Sequence, residues 1–280
     1  MKVFYLTILR PTQWLKNLML FFPPMLAGHL QKPSLITEGV LPFCSFCLVS
    51  SAGYIVNDVL DWKRDQHHPQ KKKRPLASGA ISVRTALLYA VVLMFSGLLL
   101  GVSSAPRFVL FLVLYAAVSL LYSLVLKNIP VLDLFGISAG FLIRLQAGGA
   151  LFSVPISPWL FVTVLLLSLF LSAGKRLSET MSLGEGAGEH RVSLAGYTSG
   201  FLAGAMYMTG GAAVVTYAMC VLHKPGLIYT VPLCLFGLLR YILRVIAGKG
   251  GDPTESLLKD RLLFVVGLVW LVTVVWSIYQ

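Results

Sequence analysis

The stretch NDVLDWKRD, residues 57 to 65, carries three of the chain's eleven carboxylates. If a helix runs through it, Asn57, Asp58, Asp61 and Asp65 fall within an arc of about 100° on one helix face. Carboxylates gathered in this way repel one another, and proton uptake, basic partners or a divalent cation relieves them. Hard oxygen donors favour Mg2+, which keeps part of its water shell and is usually shared with substrate phosphates. The plainer alternative is a solvated helix end whose acids pair with Lys63, Arg64 and the lysines that follow. An exposed helix end gains nothing from confining its acids to one stripe, so Asn57, Asp58, Asp61 and Asp65 are read as metal ligands.

Cations and polar groups recur in four other places. In HHPQKKKRPLASG, Lys71, Lys72 and Lys73 suit anionic lipid headgroups as well as they suit a substrate. Arg74, fixed before Pro75 where the chain returns to apolar sequence, suits a bidentate phosphate contact. In RPTQWLKN, Pro11 suits the first position of a helix that would put Arg10, Gln13 and Asn17 on one face, with Lys16 to one side. Tyr122 and Lys127 close one apolar run, and Asp133, Gly136, Gly140 and Arg144 form a stripe of the next. At 1.5 Å per residue, Arg144 would lie roughly 21 Å along its helix from Pro130. A charge that deep in a bilayer is costly and marks function, unless a carboxylate or carbonyl pairs with it structurally. The glycines would admit a substrate or a neighbouring helix. In SAGKRLSET, Lys175 and Arg176 reach Glu179 at i+4 and i+3, which allows an ordinary helix salt bridge as well as a substrate site. Arg191 and Tyr197 follow in polar sequence. His67, His68 and His190 do not repeat at metal spacing and read as loop residues, and Cys44 and Cys47 read as helix packing.

Composition dictates the scaffold that must hold these groups. With 57% hydrophobic and 12% charged residues and a mean hydropathy of +0.81, the chain is too apolar for an ordinary soluble domain. Apolar runs at 12–30, 35–56, 82–102, 107–126, 130–150, 157–174, 197–221, 226–247 and 262–279 each approach the ~20 residues that cross a bilayer. They lack two-residue alternation, so helices are expected rather than a barrel. The expectation is an all-α, polytopic membrane protein, a single domain over residues 1–280 with about nine transmembrane helices around a cytoplasm-facing cavity. The charged start does not read as a cleavable signal.

The net charge of +12 raises nucleic acid as a partner, but its distribution argues against one. All of the 23 Lys and Arg except Lys32, Arg107, Lys224 and Arg144 fall at the N-terminus and in alternate loops, together with every acid except Glu38. The positive-inside rule then puts the N-terminus and the charged face in the cytoplasm and, with nine spans, the C-terminus outside.

Taken together, NDxxDxxxD after the second span, KRPL shortly afterwards, YS before a lysine at the end of the fourth span and about nine helices resemble the UbiA superfamily of intramembrane prenyltransferases. Members typically carry a second aspartate-rich motif after the sixth span, where this chain has GKRLSE. That departure, with RPTQWLKN, FLIRLQAGG and ESLLKDRLL, resembles the decaprenyl-phosphate phosphoribosyltransferase branch. The resemblance implies transfer of 5-phosphoribose from phosphoribosyl pyrophosphate to a polyprenyl monophosphate in a bacterial plasma membrane. In mycobacteria and their relatives this leads toward the arabinose donor of the cell wall.

Charge inventory points the same way. Such a donor carries a diphosphate and a 5-phosphate, and the lipid adds a third phosphate group. Arg10, Lys16, Arg74, Lys127, Arg144, Lys175, Arg176 and Arg191 could meet them. Asp58 and Asp61, holding Mg2+ with Asn57 and Asp65, and Lys175 and Arg176 are the catalytic candidates. Gln13, Asn17, Tyr122, Asp133, Glu179 and Tyr197 complete the substrate-binding set. An ionised lipid phosphate needs no general base, and a single displacement inverts the anomeric carbon. Two alternatives stay open: a prenyltransferase with an aromatic or glycerol-phosphate acceptor, and a transporter whose pathway Arg144 and Asp133 mark. The sequence leaves room for a homo-oligomer without requiring one.

Overall fold

The computed structural model describes residues 2–29, 31, 34–67, 69, 71–186, 188, 191–222, 224 and 226–280, which form helices and short connections with no strand among them. The α-helices are α1 (Lys2–Thr7), α2 (Phe22–Leu26), α3 (Ser34–His67), α4 (Val83–Val102), α5 (Pro106–Leu124), α6 (Leu132–Leu151), α7 (Pro158–Leu183), α8 (Val192–Ala195), α9 (Ser199–Val221), α10 (Val231–Ile246), α11 (Pro253–Lys259) and α12 (Arg261–Tyr279). Local chemistry fixes several starts. Ser82, Ser157, Thr198 and Asp260 each accept a backbone N–H of the first turn that has no partner within its helix. Prolines open α5, α7 and α11.

Eight helices are long and apolar enough to cross a membrane, among the described residues. Two continue past the apolar runs that announce them. The helix begun by 35–56 extends to His67, and the one begun by 157–174 extends to Leu183, so both carry their charged residues, Asp58 to Asp65 and Lys175 to Glu179, toward the same end of the bundle. His67 therefore closes α3 rather than lying in a loop, its Nδ1 3.1 Å from the carbonyl of Lys63; His68 and His190 lie outside the described residues.

The run at 12–30 departs from its expected form. It is a 3-10 helix over Pro11–Phe21 followed by the five residues of α2, with Leu30 outside the described residues. It nonetheless connects the two ends of the bundle. Arg10 meets Asp58 at the charged end, while Leu26 accepts a hydrogen bond from Lys224 at the other, where Met25 packs with Val221, Leu227 and Val274. A 3-10 helix rises about 2.0 Å per residue instead of 1.5, which is how so few residues reach so far.

Packing runs in sequence around the bundle. α4 lies on α3, α3 on α5, α5 on α6, α6 on α7 and α7 on α9, with α10 against α7, α9 and α12. The 3-10 segment leans on α3 and α6, and Phe22 of α2 stacks on Trp270 of α12. The tightest contact is between Gly148 of α6 and the segment's backbone, because a Cβ there would collide with the carbonyl of Leu20. Gly148→Val should therefore push the segment off α6 and lower the thermal unfolding midpoint in detergent, an overpacking cost of about 1–3 kcal/mol. Gly237→Val, where a Cβ meets nothing within 4 Å, is the control and should leave the midpoint in place.

Candidate functional site

The acidic stripe of α3 faces cations from three other elements rather than its own lysines. Asp58 is buried and accepts from Arg10 and, at 2.9 Å, from Arg74 Nη1. The same nitrogen reaches Asp65 Oδ2 at 2.6 Å, so Arg74 bridges two carboxylates through one atom. Lys127, buried at the end of α5, donates to Asp61 Oδ1 at 2.7 Å and to Asn57 Oδ1 at 3.3 Å. Lys63 and Arg64 stay exposed, and from the basic run that follows α3 it is Arg74 that bonds the stripe.

Arg10 reaches Asp58 from a backbone that resists the position. Its φ of 53° and ψ of 60° are left-handed, and a residue before proline is normally extended. Ser51 holds the turn, donating to the carbonyl of Leu9 at 2.8 Å and accepting from Trp14 Nε1 at 3.0 Å. Strain kept in place by such a framework is common at functional sites.

A second network centres on Asp133, which is 0% exposed. Its Oδ2 accepts from Arg176 Nε at 2.9 Å and Ser193 Oγ at 3.2 Å, and its Oδ1 accepts from Tyr197 Oη at 2.5 Å. The Tyr197 hydroxyl also accepts the N–H of Val131, a β-branched residue held at φ 67°. Burial and the bond to Asp133 raise the pKa of the Tyr197 hydroxyl, which stays protonated. Arg176 donates further to Glu179 Oε2 at 2.5 Å and Tyr122 Oη at 3.3 Å, and Arg191 Nη2 donates to Tyr122 at 2.6 Å. One carboxylate thus ties α6, α7 and the segment after residue 191 together.

A third group lies nearer the middle of the bundle. Arg144 donates to Asn17 Oδ1, the Gly140 carbonyl and Tyr115 Oη at 2.8, 2.8 and 2.9 Å, and its guanidinium lies 4.4 Å from the centre of the Tyr115 ring. These partners are dipoles and a π-face, and none is a carboxylate. Asn17, fully buried, donates in turn to Cys47 and Ser50. Lys175 pairs with Asp252 at 2.8 Å. Burial works against that carboxylate, but Lys175 and the N–H of Glu255 hold its pKa below the ordinary carboxylate range.

A model of the UbiA prenyltransferase family matches residues 18–268. The chain belongs to that family. It is 33% identical to the decaprenyl-phosphate phosphoribosyltransferase of Mycobacterium tuberculosis over 95% of its own length and 91% of that protein. It is 32% identical to the Corynebacterium glutamicum enzyme of the same name, over 97% and 85%. The fold matches a UbiA homolog from Archaeoglobus fulgidus bound to DMAPP and Mg2+, with a TM-score of 0.77, 19% identity and 98% of each chain covered. This UbiA-family protein is accordingly a multi-span membrane enzyme of the transferase class.

Several expectations change on this scaffold. With three residues per turn, Arg10, Gln13 and Lys16 fall in line along the 3-10 segment, and Asn17 turns away to Arg144; the face expected from an α-helix does not form. The side chain of Gln13 is half-buried, and its N–H caps back to the Arg10 carbonyl at 2.9 Å. Lys175 pairs with Asp252 and not with Glu179, because α7 turns it toward the connection after α10. Arg176 is 2% exposed with its donors taken, so it builds the cleft wall rather than meeting solvent. Gly136 packs on the Tyr122 ring, a helix contact. Asp252, Tyr115 and Ser193 escaped the sequence reading. The run DPTE did signal a helix start at Asp252, but nothing in it signals a partner 77 residues away.

Among the described residues, no three His, Cys, Asp or Glu side chains converge as a protein-only metal cage. Mg2+ does not need one, since it is typically held by one or two carboxylates with waters and substrate phosphates. Asp58 and Asp61, with the Asn57 carbonyl oxygen, fit that role, and Asp65, which shares Arg74 with Asp58, lies on the same stripe. The Asp133 network yields a test of its own. Asp133→Ala removes a carboxylate from a buried arginine and should cost about 3 kcal/mol in detergent unfolding. Lys63→Gln, exposed and outside the network, should stay within about 0.5 kcal/mol. Equal stability of the two variants would remove Asp133 as the hub.

Proposed function

We propose that this protein transfers 5-phosphoribose from phosphoribosyl pyrophosphate to a polyprenyl monophosphate and releases pyrophosphate. The observation that carries this reading is the cationic wall around the acidic stripe: Lys16, Arg144, Lys175, Arg176 and Arg191 exceed the carboxylates available to them. A donor with two phosphate groups and an acceptor with a third supply the missing anions. The names of the mycobacterial and corynebacterial relatives support the same chemistry. So does GKRLSE, which puts two cations where a second aspartate motif would hold a prenyl diphosphate.

Asn57, Asp58 and Asp61 would hold Mg2+ against the donor's pyrophosphate, and the metal supplies charge neutralisation as that group departs. Arg10, Arg74 and Lys127, which balance the stripe in the free protein, are placed to pass from carboxylate to phosphate oxygens. Asp133 orients Arg176, Tyr197 and, through Arg176 and Tyr122, Arg191, which together would form one wall of the site. In the reaction, an oxygen of the lipid phosphate forms a bond to the anomeric carbon while the carbon–oxygen bond to pyrophosphate breaks. The electron pair leaves with pyrophosphate. The nucleophile is already ionised at neutral pH, so no proton is moved and no histidine is needed. Low-dielectric walls strengthen the cations' hold on the charge that develops. The charged face would lie in the cytoplasm, where the donor is found, with the polyprenyl tail in lipid.

The test is turnover in detergent with polyprenyl phosphate and phosphoribosyl pyrophosphate, read by mass spectrometry of the lipid. With Mg2+, the lipid should gain one phosphoribosyl unit of inverted anomeric configuration, and EDTA should abolish it. Asp61→Ala should lower kcat at least about 100-fold while the protein stays folded. Consumption of a prenyl diphosphate with an aromatic acceptor instead would return the protein to prenyl transfer, and retention of configuration would exclude a single displacement.

A further inference from the structure

The cations of the cleft divide into three groups, and one of them carries more charge than its single carboxylate balances. Arg10, Arg74 and Lys127 serve the acidic stripe, and Arg176 and Arg191 serve Asp133 and Glu179. Lys16, Lys175 and Arg144 remain. The ammonium of Lys16 forms no hydrogen bond or ion pair among the described residues, yet it stands within electrostatic reach of Lys175, Arg144, Arg10 and Asp252. Arg144 spends its donors on neutral groups. Asp252 is the carboxylate within electrostatic reach of Lys16, and it is bonded to Lys175. Cations gathered in such excess, with Arg144 buried and Lys16 half-buried, call for an anion.

The position of Asp252 looks like that of a stand-in for this anion. The residue enters on a connection strapped across α7. Tyr241 donates to the Gly251 carbonyl at 2.6 Å, and a Cβ at Gly251 would come within 2.7 Å of the Gly174 carbonyl, so only glycine lies this close. The same connection continues into α11, which touches the 3-10 segment that carries Lys16. Asp252 thereby pairs with Lys175 while it lies within electrostatic reach of Lys16.

Depth indicates which anion belongs there. Lys16 is six residues beyond Arg10 on a segment that rises about 2.0 Å per residue, so its backbone lies roughly 12 Å further into the bundle than that of Arg10. A water-borne diphosphate has no reason to travel past the stripe. A phosphate on a polyprenyl chain reaches this depth from the lipid. Resting on the transferase reading above, we infer that Lys16 and Lys175, backed by Arg144, form the subsite for the acceptor's monophosphate, which Asp252 fills until that phosphate displaces it.

Steady-state kinetics and direct binding test this together. Lys16→Gln should raise the KM for polyprenyl phosphate about tenfold and leave that for phosphoribosyl pyrophosphate within about twofold, and Lys16→Arg should restore most of it. Asp252→Asn keeps a good N-cap for α11 but frees Lys175, and should lower the lipid KM several-fold. Calorimetry with farnesyl phosphate, without donor, should show binding that Lys16→Gln weakens by a similar factor. A rise confined to the donor KM, or weaker lipid binding in Asp252→Asn, would overturn the subsite. Inorganic phosphate binding as well as farnesyl phosphate would overturn its assignment to the lipid. If wild-type protein binds farnesyl phosphate through Lys16 but forms no phosphoribosyl lipid, the transferase reading fails and the subsite stands.

Discussion

An ion enclosed by apolar helices has lost its water and must find its compensation in the protein, and the cost of failing to do so is several kcal/mol per charge. Asp133 meets that demand with an arginine, a tyrosine hydroxyl and a serine hydroxyl, and in doing so joins two long helices to the polar connection after them. The position of Tyr122 over the cleft, the half-buried setting of Arg191 and the unusual backbone at Val131 all follow from that bond set. Removing the carboxylate would loosen every one of them, which is why this one buried residue can govern the shape of the site.

The same demand explains why the acids of α3 are not simply a charged helix end. They are neutralised by Arg10, Arg74 and Lys127, each delivered by a different element. Such a layer is ready to exchange partners: a divalent cation can take the carboxylates while phosphates take the released cations, with little change in net charge. The left-handed backbone at Arg10 belongs to this arrangement, since its strain is borne by the hydrogen bonds of Ser51 and Trp14 on the neighbouring turn.

Much of the protein was legible one residue at a time. Continuous apolar runs of bilayer length require helices, and their alternation with charged loops gathers the ionic groups at one end. The stripe at 57–65 depended only on helical periodicity, which α3 supplies without a break. The 3-10 segment was not legible, because the same residues allow an α-helix, and only close contact with α6 at Gly148 favours the narrower, longer form. That change moved Lys16 into line with Arg10 and sent Asn17 to Arg144.

The sequence by itself therefore determined the medium, the helical class and the inventory of charge, because these depend on composition and on repeats within a single helix. The tertiary structure alone decided which cation answers which carboxylate. Lys175 lies one turn from Glu179 in the chain yet pairs with Asp252, and Arg144 is left to dipoles and rings. The physical reason is that pairing in a low-dielectric interior is set by distances of a few ångströms between elements far apart in sequence. No spacing along the chain encodes those distances.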